Sequence, residues 1–317
     1  MNTVYLEAGR VQTRPAFLPE RPEGFALIRL LIAGICNTDL ELQRGYYGFT
    51  GIPGHEFVGE VVAADSPSLF GKRVVGEINL ACGKCSWCNR GLGRHCPHRT
   101  VLGIVKHPGA FSEFLTLPER NLHIVPDSIS SEVAVFTEPV AAACEILDQV
   151  QIPAGSPVAV LGDGKLGLLV AQVLQVNGCR VHQFGRHADK LKISERTGVT
   201  TEIAGEHLPE AEFEWVIDAT GSPAGLRAAV RMVQPRGIVI LKSTVHGEVP
   251  VDTAPVIVNE ITLIGSRCGR FEPALDLLER RAIDVESMIS DTFALSDAPA
   301  AFEQAAKSGI LKVLLKS

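Results

Sequence analysis

Residues 158–167 read VAVLGDGKLG. A short apolar run, Val158–Leu161, ends at Gly162, and Gly162, Gly164 and Gly167 follow the spacing G-x-G-x-x-G. Leu166–Val176 (LGLLVAQVLQV) then has the apolar content of a buried helix, and Asn177-Gly178 supplies its stop. A glycine triplet alone is a weak signal, but one lying between a strand and a helix has a mechanism. The first glycine makes the tight turn, the second lets a pyrophosphate approach the backbone, and the third lets helix and strand pack closely. Unpaired N–H groups at the helix start face the phosphates. The competing reading is a glycine-rich turn without a ligand.

The same period continues downstream. Arg180–Phe184 reads as a strand and Ala188–Thr197 as a helix ending at Gly198. Residues 201–214 are polar and read as a surface loop. Trp215–Ala219, a helix after Pro223, Ile238–Leu241 and Ile261–Ile264 complete the alternation. Alternating elements predict an α/β fold with a doubly wound parallel sheet, covered on both faces. Upstream the pattern differs. Residues up to about 135 are rich in Gly and Pro, with short apolar runs such as Phe25–Ile32, Phe57–Ala63 and Lys72–Val75, and predict a β-rich domain. Residues 133–150 read as one helix whose true start lies near Glu138, with Pro139 in its first turn. A helical pattern returns after 270, and Leu311–Leu315 is strand-like.

A length of 317 residues suits two domains. With 46% hydrophobic and 21% charged residues the composition is that of a globular protein, which excludes a disordered chain. A net charge of −6 argues against a general nucleic-acid binder. Neither an apolar stretch of membrane-spanning length nor a secretory leader is present in the sequence, so a cytoplasmic location is expected. In that reducing compartment the eight cysteines call for an explanation other than disulfides.

Four of them, Cys82, Cys85, Cys88 and Cys96, give C-x2-C-x2-C-x7-C. Four thiolates satisfy tetrahedral Zn²⁺ and leave no position for water, so the lobe at about 80–97 predicts a structural zinc. The spacing also suits an iron–sulfur cluster in principle. A nucleic-acid zinc ribbon would need a more basic surround. A second constellation is dispersed: Cys36, Thr38 and Asp39 in GICNTD, His55 and Glu56 in GHE, and Glu138 before Pro139. Cys, His and Glu form an N/O/S ligand set, and three protein ligands plus water make a catalytic zinc site. Singly, Cys36 would read as a buried small hydrophobe and His55 as a core histidine. At the ribose end of the dinucleotide, a carboxylate normally closes the second strand of NAD-preferring folds. Here Gly185, Arg186 and His187 follow Phe184. Gly185 would leave room for a phosphate and Arg186 could hold it in a charge-assisted fork, so NADP is expected over NAD. The bland alternative is that Arg186 is a solvated charge.

With GICNTD, GHEFVGEV, GKRV, the four-cysteine lobe, GAFSEF, TEPVAAACEIL, LGDGKLG, DATGSP and FEPALDLLERRAIDVESMIS, the chain resembles a zinc-dependent medium-chain dehydrogenase of the alcohol dehydrogenase superfamily. It is most similar to the polyol, threonine and glucose dehydrogenase branch, over nearly its whole length. The resemblance implies a GroES-like catalytic domain over 1–139 and 268–317, interrupted by a Rossmann domain over 140–267. It implies Cys36 and His55 as catalytic zinc ligands, with Glu56 and Glu138 as the two acids able to complete the set. It implies Thr38 as the group that bonds the substrate hydroxyl, and Asp39 as the group orienting His55. Lys165 and Leu166 of the glycine loop, and Thr220 of DATGSP, join Gly162, Gly164, Gly167, Gly185, Arg186 and His187 as cofactor residues. The expected activity is hydride transfer between a small alcohol, polyol or sugar and NADP, with two zinc ions per chain, in a homodimer or homotetramer. There are departures: the segment between Glu60 and Gly71 is short, and Glu41 stands where the family's distal relay histidine would be. The rivals are a zinc-free quinone or alkene reductase of the same superfamily and a non-catalytic NADP(H)-binding protein.

Overall fold

The glycine loop leaves the centre of a six-stranded parallel sheet. In the computed structural model, which describes residues 1–205, 207–244 and 249–317, the strand order is Thr200–Ile203, Arg180–Gly185, Pro157–Leu161, Phe213–Asp218, Val233–Leu241, Thr262–Gly265. Each neighbouring pair is parallel. Connection direction reverses between Pro157–Leu161 and Phe213–Asp218, so the loops after these strands lie at the switch point where such sheets bind ligands. Val158, Ala159 and Val160 are fully buried. That burial accounts for a central strand reading as an unbroken apolar run rather than an alternating one. The helix Lys165–Val176 buries every residue from Gly167 to Leu174, so its first turn is held firmly against the sheet.

The strand Thr200–Ile203 corrects one expectation, because the sequence there reads as loop. It is an edge strand with Thr200, Glu202 and Ile203 exposed, so no buried face stamps an apolar alternation on it. The helix expected to start near Glu138 runs Thr137–Gln149, and a separate short helix, Ser131–Ala134, precedes it. Pro139 falls in the first turn of the longer helix, where its missing N–H costs nothing.

The other part of the chain is built on a seven-stranded sheet in the order Leu122–Ile124, Arg73–Gly76, Glu56–Ala63, Phe25–Ile35, Lys312–Lys316, Ile289–Ala294, with Phe114–Pro118 also paired to Phe25–Ile35. Its long central strand alternates toward a core that includes Ala26, Ile28, Leu30 and Ile32. A small sheet of Asn79–Leu80, Thr100–Leu102 and Lys106–His107 closes the base of the four-cysteine excursion.

The chain divides into two compact units, Met1–Glu138 with Ile289–Ser317, and Pro139–Met288. In this division the residues from 268 to 288 lie with the second unit. Three contacts hold the intervening segment to the helices of the second unit. Arg270 is paired with Asp148 at 3.0 Å. Gln172 exchanges hydrogen bonds with the backbone of Asp284. Arg196 donates to Ser287 at 2.6 Å. Among the described residues, no helix is long and apolar enough to cross a membrane.

Candidate active site

The strand Phe25–Ile35 runs out at Cys36, which caps the helix Asn37–Gln43. Asp39, at the third helical position, accepts a hydrogen bond from Cys36 N at 2.8 Å, satisfying an N–H that a helix start would otherwise strand. Its other oxygen accepts from Gly54 N at 3.1 Å. One fully buried carboxylate thus ties the segment carrying Cys36 to the segment carrying His55 and Glu56. The antiparallel register, with Gly34 opposite Glu56, does the rest. Ligand atoms of Cys36, His55 and Glu56 all lie within 4.8 Å of one another.

One atom of this group, Glu56 Oε1, is buried without a hydrogen-bond partner. His55 Nδ1 lies 3.4 Å from Asp39 Oδ1, and Glu56 Oε2 is bound to the buried ammonium of Lys312. Orphaned buried polar atoms are rare and ask for a missing partner. The electrostatics name its sign. Burial works against a charged imidazole at His55, yet Asp39 and Cys36 outweigh it and raise its pKa well above the ordinary value. Burial likewise opposes the charge on Lys312, but Glu56, Cys36 and Glu138 hold its pKa above the usual lysine range. A field that retains protons so strongly is one that favours a cation, and a donor set of thiol, imidazole and carboxylate suits zinc.

Thr38 Oγ1 lies 3.9 Å from Cys36 Sγ, on the same turn. Glu138 stands in the first turn of Thr137–Gln149 and outside the three-residue group, although its charge reaches Lys312. Glu41, at the distal relay position, is paired with Arg44 at 2.6 Å. Lys312 was missed by sequence reasoning. It arrives on the strand Lys312–Lys316, whose next residue, Val313, pairs with Ile35. A side chain on Gly34 would meet Glu56 Oε2 at 2.6 Å and Lys312 Cδ at 3.3 Å, so the buried ion pair requires glycine there.

In the cysteine lobe, Sγ atoms are 3.9 Å apart for Cys82 and Cys88, 3.5 Å for Cys85 and Cys88, and 3.7 Å for Cys85 and Cys96. These are too long for disulfides. They match the edge of about 3.8 Å that a tetrahedron with arms of about 2.3 Å requires for zinc–sulfur bonding. Backbone N–H groups already favour thiolate: Lys84 N brings Cys82 down to about 6, and Cys88 N lowers Cys85. Cys88, desolvated and beside those sulfurs, is pushed up to about 11. Four sulfurs gathered at these distances are the ligand set a divalent metal neutralises.

In the glycine loop the three glycines do three things. Gly162 is left-handed (φ 114°), and a side chain there would meet the backbone of Ala219 at 2.7 Å. A side chain on Gly167 would collide with the carbonyl of Gly162. Gly164 faces open space, with nothing within 4 Å of where a Cβ would stand. Two tight positions and one open one are the shape a phosphate-binding turn needs. Lys165 and Leu166 follow, half-buried, and Thr220 is exposed in the neighbouring turn with its hydroxyl donating to Asp218 at 2.8 Å.

The expectation about Gly185 is corrected. A Cβ at Gly185 would lie 2.6 Å from Asp163 Cβ and 2.9 Å from Leu191 Cδ2. The glycine makes room for Asp163 rather than for a phosphate. Asp163 Oδ2 accepts from Arg186 N at 2.7 Å, His187 N at 2.6 Å and the His187 ring at 2.8 Å. The Arg186 residue itself is exposed.

Comparison with known proteins identifies the family. The alcohol dehydrogenase GroES-like domain matches residues 22–127, and the zinc-binding dehydrogenase domain matches residues 166–280. D-altritol 5-dehydrogenase of Agrobacterium fabrum is 30% identical, over 92% of this chain and 92% of that one. Among solved structures, an alcohol dehydrogenase from a Thermus species superposes with a TM-score of 0.90 at 30% identity, covering 100% of both chains. A zinc-binding dehydrogenase from Sinorhizobium meliloti, solved bound to NADP, superposes with a TM-score of 0.92 at 28% identity, covering 100% of this chain and 99% of that one. With the glycine loop, the parallel sheet and the Cys–His–Glu group in place, the chain belongs to the zinc-dependent medium-chain dehydrogenases of the alcohol dehydrogenase superfamily and is an alcohol or polyol oxidoreductase.

Proposed function

We propose that this protein oxidises a small alcohol, polyol or sugar hydroxyl with NADP, and reduces the matching carbonyl in reverse, using two zinc ions per chain. The observation that carries the reading is the convergence of Cys36, His55 and Glu56 within 4.8 Å, with Glu56 Oε1 buried and unpartnered. Cys36, His55 and Glu56 would hold the catalytic ion, with Glu138 as the second acid nearby, and Cys82, Cys85, Cys88 and Cys96 the structural one. Zinc supplies Lewis-acid chemistry that lowers the pKa of an alcohol oxygen, and the nicotinamide supplies the hydride acceptor.

The chain's own residues do the rest. Thr38 accepts the proton of the substrate hydroxyl and passes it outward. Asp39 orients His55, so that the imidazole presents its other nitrogen to the ligand position. Lys312 engages Glu56 Oε2 and leaves Oε1 to ligate. Arg186, exposed at the end of Arg180–Gly185, supports NADP by offering a guanidinium to a 2′-phosphate. Exposed Ile257 and Val258 support assembly as a homodimer or homotetramer. A cytoplasmic setting would keep the eight cysteines reduced.

The test is a cofactor-reduction screen of alcohols, polyols and sugars, run with NAD and NADP on zinc-loaded protein. Oxidation of at least one polyol or secondary alcohol is expected. Reduction of quinones or activated alkenes, with no alcohol oxidised, would support the zinc-free rival instead.

A further inference from the structure

The dinucleotide reading of the glycine loop leaves one buried charge unused. Asp163 occupies the middle of Gly162-Asp163-Gly164 and is 7% exposed. Its side chain lies back against the end of the neighbouring strand, Arg180–Gly185, where folds of this kind meet the adenosine ribose. The carboxylate expected at the end of that strand is therefore present, but it is delivered from the glycine loop. Gly185 is what lets it in, since any side chain at 185 would overlap Asp163 Cβ.

The position has a consequence for the nucleotide. Successive backbone N–H groups after a strand form a ready anion site. Here the two such groups, Arg186 N and His187 N, both donate to Asp163 Oδ2, as does the His187 ring. Burial opposes ionisation of Asp163, but these hydrogen bonds outweigh it and hold the carboxyl below its ordinary range. A 2′-phosphate arriving at this turn thus meets donors already spent and a negative charge already installed. Only side chains, chiefly the Arg186 guanidinium, remain to welcome it.

We propose that Asp163 is a specificity-determining residue for the adenosine ribose, restraining the preference for a 2′-phosphate that Arg186 confers and keeping both nicotinamide cofactors usable. The inference rests on the dinucleotide reading of the loop and deepens it. Asp163→Asn removes the charge while preserving shape and an acceptor oxygen. It should raise the ratio of kcat/KM for NADP over NAD by about 10-fold, the effect of losing one unfavourable charge contact.

The same ratio is read without turnover or metal by titrating 2′,5′-ADP and 5′-AMP into the intact protein by calorimetry. In the parent, 2′,5′-ADP should bind no more than about 10-fold more tightly than 5′-AMP, and in Asp163→Asn the gap should widen by about 10-fold. Asp163→Ser, which keeps a smaller acceptor, should widen it in the same direction. A parent preference above about 100-fold overturns the proposal without any variant. An unchanged or reversed ratio in folded Asp163→Asn, with both nucleotides still bound, overturns this inference alone. Failure of both nucleotides to bind the parent overturns it together with the dinucleotide reading.

Discussion

The two oxygens of Glu56 sit in different surroundings, one on a buried ammonium and one buried with no partner. Breaking a buried pair by removing one member leaves an uncompensated charge, at about 3–5 kcal/mol. Lys312→Met should therefore lower unfolding free energy by about that amount in chemical denaturation, and a midpoint indistinguishable from the parent would contradict the pairing. Asp39→Asn should leave the fold intact and cost about 10–100-fold in zinc affinity or activity, because the side chain acts through the orientation of a ligand. Zinc titration against a competing chelator measures this, and parental affinity would argue that His55 is held by other means. Cys36, His55 and Glu56 were legible in the sequence because the ligand types fall within short motifs. Lys312 was not, since it lies 256 residues from its partner and its neighbours read as an ordinary apolar strand. Asp163 was passed over as a variable position between two glycines, because nothing local says which way its side chain turns.

At the scale of elements, the turn after Leu161 and the turn after Phe184 are fitted to each other. Gly185→Ala should destabilise the protein by about 1–3 kcal/mol through overpacking against Asp163. In an Asp163→Gly background the same change should cost much less, giving a coupling of about 0.5–3 kcal/mol in a double-mutant cycle. Additive effects would mean that the two turns relax independently. The cysteine excursion between Leu80 and Thr100 has few buried apolar side chains of its own, Cys96 being the buried member of its metal set. Its order is expected to come from metal, since ligation free energy is folding free energy in such lobes. Cys88→Ser should reduce zinc content by one ion per chain and lower thermal stability, and retention of full metal content would remove the four-thiolate site. Elements with a buried face were readable from hydrophobic period, as Pro157–Leu161 and Lys165–Val176 were. The edge strand Thr200–Ile203 was not, because its side chains meet solvent on both faces. The start of the helix Thr137–Gln149 was readable from Glu138-Pro139; the short helix before it, Ser131–Ala134, capped by Ser130 accepting from Val133 N, was not, because so brief an element carries too little period.

Across the whole molecule, one chain builds two units with different chemistry. The first junction, at Glu138 and Pro139, lies where the strand-rich pattern gives way to helix. The second junction is hard to read from sequence, because the helix Phe271–Glu279 is amphipathic and would suit either unit. The central claim is that the first unit holds an active zinc on Cys36, His55 and Glu56, separate from the ion of the cysteine lobe. The most direct measurement combines metal content, nucleotide binding and turnover in the parent and in Cys36→Ala. The parent is expected to carry two zinc ions per chain and to oxidise an alcohol. Cys36→Ala is expected to carry one, to bind 5′-AMP as the parent does, and to show no alcohol oxidation. A parent that is fully active with a single zinc, or a Cys36→Ala variant with near-parental kcat, would contradict the account.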